Sequence, residues 1–185
     1  MMHPVTDHPA DPCPLAIVDV GYGEREALAA CVVARGWADA EPVETRVVSV
    51  AEVRPYAPGR FFERELPCLL AVLERLRTAI AAVVIDGYVT LDEHGTPGLG
   101  GHLHAALGER VAVIGVAKTS FRGSGFATPV LRGTSARPLW VTAMGTAVER
   151  AARRVAAMHG EHRIPTLLGL VDRLARGLVP AEPAR

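Results

Sequence analysis

The sequence predicts an α/β domain built on a mixed central sheet, three antiparallel strands followed by β-α-β-α-β crossovers, with helices flanking it. Three observations carry this expectation. Short apolar runs end in charged residues (residues 15–20, LAIVDV; 82–85, AVVI; 111–117, VAVIGVA), as buried strands do at the edge of a sheet. Segments with helical apolar spacing separate the later runs. The 185 residues contain no linker or internal repeat and suffice for one core.

The elements follow in order. Residues 1–13, rich in Pro, His and Asp, read as a loose arm, and residues 180–185 as a tail. Residues 15–20 form a central strand; residues 30–34 and 46–50 are short, β-branched and separated by Gly36 and Pro42, giving an antiparallel meander with the first. After a proline-rich loop, Leu69, Leu70, Val72, Leu73, Leu76 and Ile80 recur at helical spacing from Pro67 onward. A short helix over 99–107 joins the strands at 82–85 and 111–117. Right-handed crossovers then place Asp86 and Lys118 at one edge of the sheet, joined by Asp19 if the first strand runs parallel to them. Ligands of open α/β sheets bind at that carboxyl edge. Residues 139–142 add a strand, Val148, Ala151, Ala152, Val155 and Met158 mark a helix, and a last helix covers 167–176.

Composition narrows the class. Apolar residues make up 49% and charged residues 22%, as in a globular, soluble domain. No apolar run approaches the ~18 residues of a membrane span, and the N-terminus lacks a signal-peptide profile, so a cytoplasmic location is expected. Cys13, Cys31 and Cys68 are too widely spaced for a metal knuckle and read as buried thiols. The net charge is zero, but residues 1–120 hold ten basic and sixteen acidic side chains and residues 121–185 ten and four. The basic end could face phosphate or simply solvate helix surfaces. Lys118 is the only lysine beside nineteen arginines, which marks a place where a compact ammonium is wanted.

Several familiar sites are excluded. The runs at Gly98 and Gly123 lack the third glycine of a dinucleotide loop, Lys118-Thr119 follows alanine, and Arg122 and Phe126 stand where a nucleophile elbow needs glycine. His94, His102 and His104, with His159 and His162, raise a histidine metal site; packing within a helix and a solvated helix end are the favoured alternatives.

The carboxylates make a stronger case. Asp19, two residues before Gly21, and Asp86, immediately before Gly87, end apolar strands where side chains project into a cleft. Adjacent acids repel unless a cation holds them, and all-oxygen ligands select Mg²⁺ or Mn²⁺ over zinc. Either acid alone could instead cap a turn or pair with an arginine. The loop from Arg54 to Pro67 adds Glu63 and Glu65. Within it Pro55 and Pro58 stiffen the chain around Tyr56, and Gly59 permits close approach, so Tyr56 can form a rigid wedge for an opened base stack or fold back on the core.

With these pieces in order, the chain resembles the endonuclease V family: Asp19-Val-Gly-Tyr, Pro55-Tyr-Ala-Pro-Gly, Arg64-Glu65 with Pro67, Val84-Ile-Asp-Gly, Gly98 with His102-Leu103, and Ile114-Gly-Val-Ala-Lys118. The resemblance implies a ribonuclease H-like fold, with Asp19, Glu65 and Asp86 as catalytic, metal-binding carboxylates for Mg²⁺ or Mn²⁺ and Lys118 at the reacting phosphate or its water. It also implies Tyr56 as the wedge, with Pro55, Pro58, Gly59 and Gly87 at the substrate. Glu63 is off the family's acidic position. The chain departs from the pattern after Asp86-Gly87, where Val89 replaces a second glycine and Asp92-Glu93-His94 stands near the place of a His-Pro-Arg run. Asp92 and His94 are therefore accessory candidates. Met144-Gly-Thr146 stands where the family carries a histidine, and, with the first strand expected at residue 15, the helix that precedes it in the family is expected to be absent and the nucleic-acid footprint smaller.

The expected function is metal-dependent hydrolysis of a phosphodiester 3′ to a deaminated purine, deoxyinosine or inosine, in DNA or RNA. Two alternatives remain: a nuclease of the same fold with another substrate, and a nucleic-acid-binding module that has lost catalysis.

Overall fold

The computed structural model describes residues 13–23, 26–51, 61–121 and 125–179. Their elements run β1 (Leu15–Tyr22), β2 (Ala27–Ala34), β3 (Glu44–Val50), α1 (Phe61–Leu73), β4 (Ala82–Ile85), α2 (Leu99–Ala106), β5 (Ala112–Ala117), β6 (Thr128–Val130), β7 (Leu139–Met144), α3 (Val148–Ala156) and α4 (Thr166–Ala175). The strands form one sheet in the order β3-β2-β1-β4-β5-β7-β6. β1, β2 and β3 are the expected antiparallel meander, while β1, β4 and β5 are mutually parallel. Asp86 and Lys118 therefore leave the sheet at one edge, level with Asp19, which lies within β1 where its pairing with β4 ends while the ladder with β2 runs on to Tyr22.

Alternation along β1 explains the layering. Leu15 and Ile17 point into a core shared with α3 and α4, and Ala16 and Val18 into one shared with α1 and α2. β4 is buried on both faces, which is why AVVI carries no polar residue. Each helix closes one core with an apolar stripe; α4 contributes Leu167, Leu168, Val171, Leu174 and Ala175.

Two expectations need correction. The helix predicted from Pro67 to Ile80 begins at Phe61 and ends at Leu73. Pro67 lies inside it, with an exposed ring. After Leu73 the winding tightens, with Arg75 N donating to Val72 O and Leu76 N to Leu73 O. Leu76 and Ile80 keep the apolar rhythm because the segment returning to β4 still covers the core. β6 was unexpected, since its exposed Pro129 argues against a strand; it is an edge strand, where a missing N–H is tolerated. Cys31 and Cys68 are buried thiols and Cys13 is half-buried. Among the described residues no helix is long and apolar enough to cross a membrane.

Candidate active site

Register brings the first two acids together. In the parallel pair of β1 and β4, Val18 stands opposite Ile85, so Asp19 and Asp86 follow at the same level, one residue beyond the paired segment. β5 pairs with β4 as far as Gly115 and with β7 as far as Ala117, and Lys118 follows where the ladder ends. Its Nζ lies 2.6 Å from Asp86 Oδ2 and 3.6 Å from Asp172 Oδ1.

Glu65 reaches the cluster from α1 and is buried. The sequence predicts a loop at Glu65; inside α1 its backbone is fixed and its side chain couples to Asp19 and Asp86. Beside it the Tyr22 hydroxyl is buried, and the Arg64 guanidinium lies 3.8 Å from the centre of the Tyr22 ring. Burial first, and the Glu65 charge second, push the Tyr22 phenol up.

The electrostatics separate this cluster from a structural acid. Glu44 is buried too, but accepts hydrogen bonds from Arg77 N and Thr78 N at 2.9 Å each and pairs with Arg46 at 2.6 Å. Burial works against its charge, yet these partners hold its carboxyl below the usual range. Asp19 has one local bond, from Val20 N at 2.8 Å, and burial followed by the Asp86 charge pushes it up to about 6. Burial and then Asp19 push Glu65 up to about 8. Carboxyls destabilised in this way at the edge of a sheet make this cluster the candidate functional site.

The shifts predict a pH dependence. A carboxyl with a raised folded-state pKa keeps its proton where the unfolded chain has released it, so stability falls as pH rises through that interval. The folded chain should lose stability from the ordinary values of 3.8 and 4.5 up through about 6 for Asp19 and about 8 for Glu65, then level off. Thermal melts in chelator from pH 5 to 9 check this: the wild type declines and Glu65→Gln loses the upper part of the decline. A flat wild-type profile contradicts it.

Among the described residues no three acidic, histidine or cysteine side chains converge at ligating distance as they stand. The Lys118 ammonium lies against Asp86 instead, and Asp86, Asp172 and Asp19 together keep its proton on despite burial. The donor set nevertheless fits a hard divalent cation: partly dehydrated carboxylates, oxygen donors only, with Asp19 and Glu65 each destabilised by its neighbours.

Asp172 is the residue that sequence reasoning missed. It comes from α4, where its Oδ1 also accepts from Arg176 Nη2 at 2.8 Å. α4 comes this close because Gly21 has no side chain; a Cβ there would stand 2.1 Å from Ala175 O. The available signal was charge: Asp172 is one of only four acids after residue 120 and the only one inside α4.

The turn after β4 is built differently from its surroundings. Gly87 has a φ of 146°, with open space around an added Cβ. Val89 is fully buried in the core, and its N–H donates to the buried Thr142 Oγ1 at 2.8 Å. The Tyr88 hydroxyl donates to Thr119 O at 2.8 Å, and its ring lies 6.0 Å from Phe121 and 5.7 Å from Phe126. Asp92 accepts from His94 N at 3.0 Å and Thr96 N at 2.9 Å in an exposed turn. Hydrogen bonds from Thr96 lower its pKa. His94 is exposed, 3.9 Å from Glu93. These contacts tie Asp92 and His94 to their own turn rather than to the carboxylates. His102 stacks on Phe62 at 3.7 Å, and His104 is buried in α2. Pro55, Tyr56, Pro58 and Gly59 lie outside the described residues.

Fold and site together define a ribonuclease H-like α/β domain with an acidic cluster and one lysine at its strand ends. The sequence model of the Endonuclease V family matches residues 5–167. The chain is 31% identical over 182 residues to Endonuclease V of Streptomyces avermitilis, covering 86% of this chain and 77% of that one. It is 36% identical over 115 residues to Endonuclease V of Xylella fastidiosa strain 9a5c, over 62% of this chain, and spans about half, 47%, of that relative's length. The Streptomyces avermitilis Endonuclease V crystal structure superposes with a TM-score of 0.73 at 27% identity, over 92% of this chain and 83% of that one. A Ciona intestinalis Endonuclease V variant, in complex with a 23mer DNA containing an inosine followed by a ribo-adenosine, shares the fold with a TM-score of 0.76 at 18% identity, over 91% and 86%. The chain belongs to the endonuclease V family.

Proposed function

We propose that this protein is a divalent-cation-dependent endonuclease that hydrolyses a phosphodiester 3′ to a deaminated purine, deoxyinosine or inosine, in nucleic acid. The observation that carries this reading is the mutual electrostatic coupling of Asp19, Glu65 and Asp86, carried by β1, α1 and the turn after β4, with the Lys118 ammonium on Asp86. Asp19, Glu65 and Asp86 would hold Mg²⁺ or Mn²⁺, with Asp172 as a further oxygen donor at the rim. Such an ion, when bound, polarises phosphate and lowers the pKa of an attacking water.

The chain's own groups do the rest. Lys118, released from Asp86, donates to a phosphate oxygen and meets the charge that develops there. Buried Glu65 and half-buried Asp19 keep water scarce on the inner side of the site, which strengthens the contacts made there. Tyr56, which the sequence sets between Pro55 and Pro58, would fill the gap left by an extruded base, whose unstacking costs least when the pair is damaged.

A second reading, the same chemistry with another base preference, is favoured by one observation: the turn after Asp86 buries Val89 and presents Tyr88 with Phe121 and Phe126 at its rim. Competition between inosine- and guanine-containing oligonucleotides, single-stranded and duplex, DNA and RNA, decides. Preferential cutting beyond inosine supports the first reading. Equal cutting of both supports the second, and salt-sensitive binding with no cutting in any metal overturns both.

A further inference from the structure

Lys118 lies one residue beyond the last rung of the β5–β7 ladder, so its carbonyl has no strand partner. Arg163, in the connection between α3 and α4, supplies one. Its Nη2 donates to Lys118 O and, at 2.9 Å, to Pro138 O, while its Nε donates to Arg137 O at 3.0 Å. One guanidinium thus gathers the exit of β5 and the entry of β7. Arg163 is itself held. Buried Arg132 donates from Nη1 to His162 O at 3.0 Å and Arg163 O at 3.4 Å, and from Nη2 to Gly160 O at 3.0 Å. The same connection leads directly into α4, which brings Asp172 within 3.6 Å of the Lys118 ammonium. Among the described residues Arg163 meets carbonyl oxygens and no carboxylate, so its charge serves to hold backbone.

We propose that Arg163 is a positioning residue for Lys118: by fixing the Lys118 carbonyl and the start of α4 together, it aims the ammonium at the carboxylate cluster. Its effect on turnover rests on the nuclease reading; the placement of Lys118 does not. A planar fork with several donors suits this task, because no other side chain spans three carbonyls with one rigid group.

Lys118 is the only lysine, so protein labelled with ¹³C,¹⁵N-lysine gives a single side-chain ε-resonance set. In Arg163→Ala the ε-methylene signals should move toward those of free lysine and lose their separate proton shifts, and added guanidinium ion should restore them. A staple that only stabilised the junction would lower the melting temperature and leave these signals in place. In cleavage assays kcat should fall about 100-fold, the scale of a misplaced reacting group, with KM unchanged.

A folded Arg163→Ala protein with wild-type lysine signals overturns the proposal, as do shifted signals with wild-type kcat. Should Arg163→Ala fail to fold, Arg163→Gln, which keeps part of the donor set, is read in the same way, and failure of both to fold assigns Arg163 to stability alone and overturns positioning. If the wild type cuts no inosine substrate, the nuclease reading fails, while the lysine signals still decide whether Arg163 places Lys118.

Discussion

Asp86→Ala should abolish cleavage and leave the fold standing. Asp86 lies past the end of β4 with its side chain about one-third exposed, and among the described residues its ion pair is with Lys118. Losing a pair so open to solvent costs at most about 1 kcal/mol. The chemical loss is far larger, because the variant lacks a proposed cation ligand and leaves Lys118 drawn to Asp172 and Asp19 only. Removing one group aimed at developing charge costs about 10²–10³ in rate, and loss of a cation ligand should exceed that. The check pairs a thermal melt with single-turnover cleavage: a melting temperature near the wild type and no detectable product. Wild-type cleavage by this variant would remove the assigned site.

Gly21→Ala should act in the opposite way, on the fold first. The added Cβ would meet the Ala175 carbonyl carbon at 2.6 Å as well as its oxygen at 2.1 Å, and both are backbone atoms that no rotamer can move aside. α4 must then shift off β1, opening the core at Leu174 and Ala175 and carrying Asp172 away from Lys118. Overpacking of this kind costs about 3 kcal/mol. Chemical denaturation should show a lower midpoint, and hydrogen exchange should speed up in α4 before the β1–β4–β5 strands. An unchanged midpoint would mean that α4 does not rest on Gly21 as described.

The sheet and half of the site were legible because their physics is local. Asp86 and Lys118 each follow an apolar run and Asp19 interrupts one, and parallel pairing of β1, β4 and β5 is enough to bring the three to one level of the sheet. Glu65 was legible as an acid but not as a helical one, since Pro67 reads as a helix start when it is an exposed residue inside α1. Asp172 was not legible: an acid between Val171 and Arg173 on an amphipathic helix looks like a solvated face, and only the close contact at Gly21 turns it toward Lys118. Val89, which stands where the family pattern has a second glycine, packs in the core, because its N–H is taken by Thr142 and its side chain by the apolar layer under α2. The role of Arg163 had no signal either, being one arginine among nineteen until its three carbonyl partners are seen.

On the proposed function these carboxylates and Lys118 form one cation-dependent hydrolytic centre. Its most direct test is end-labelled, inosine-containing oligonucleotide incubated with the protein in Mg²⁺, in Mn²⁺ and in chelator, with the cut position mapped. The expected result is a single cut on the 3′ side of the lesion, abolished by chelator and restored by adding the cation back. Cutting that persists in chelator, or intact substrate in both metals with the fold confirmed, would contradict it.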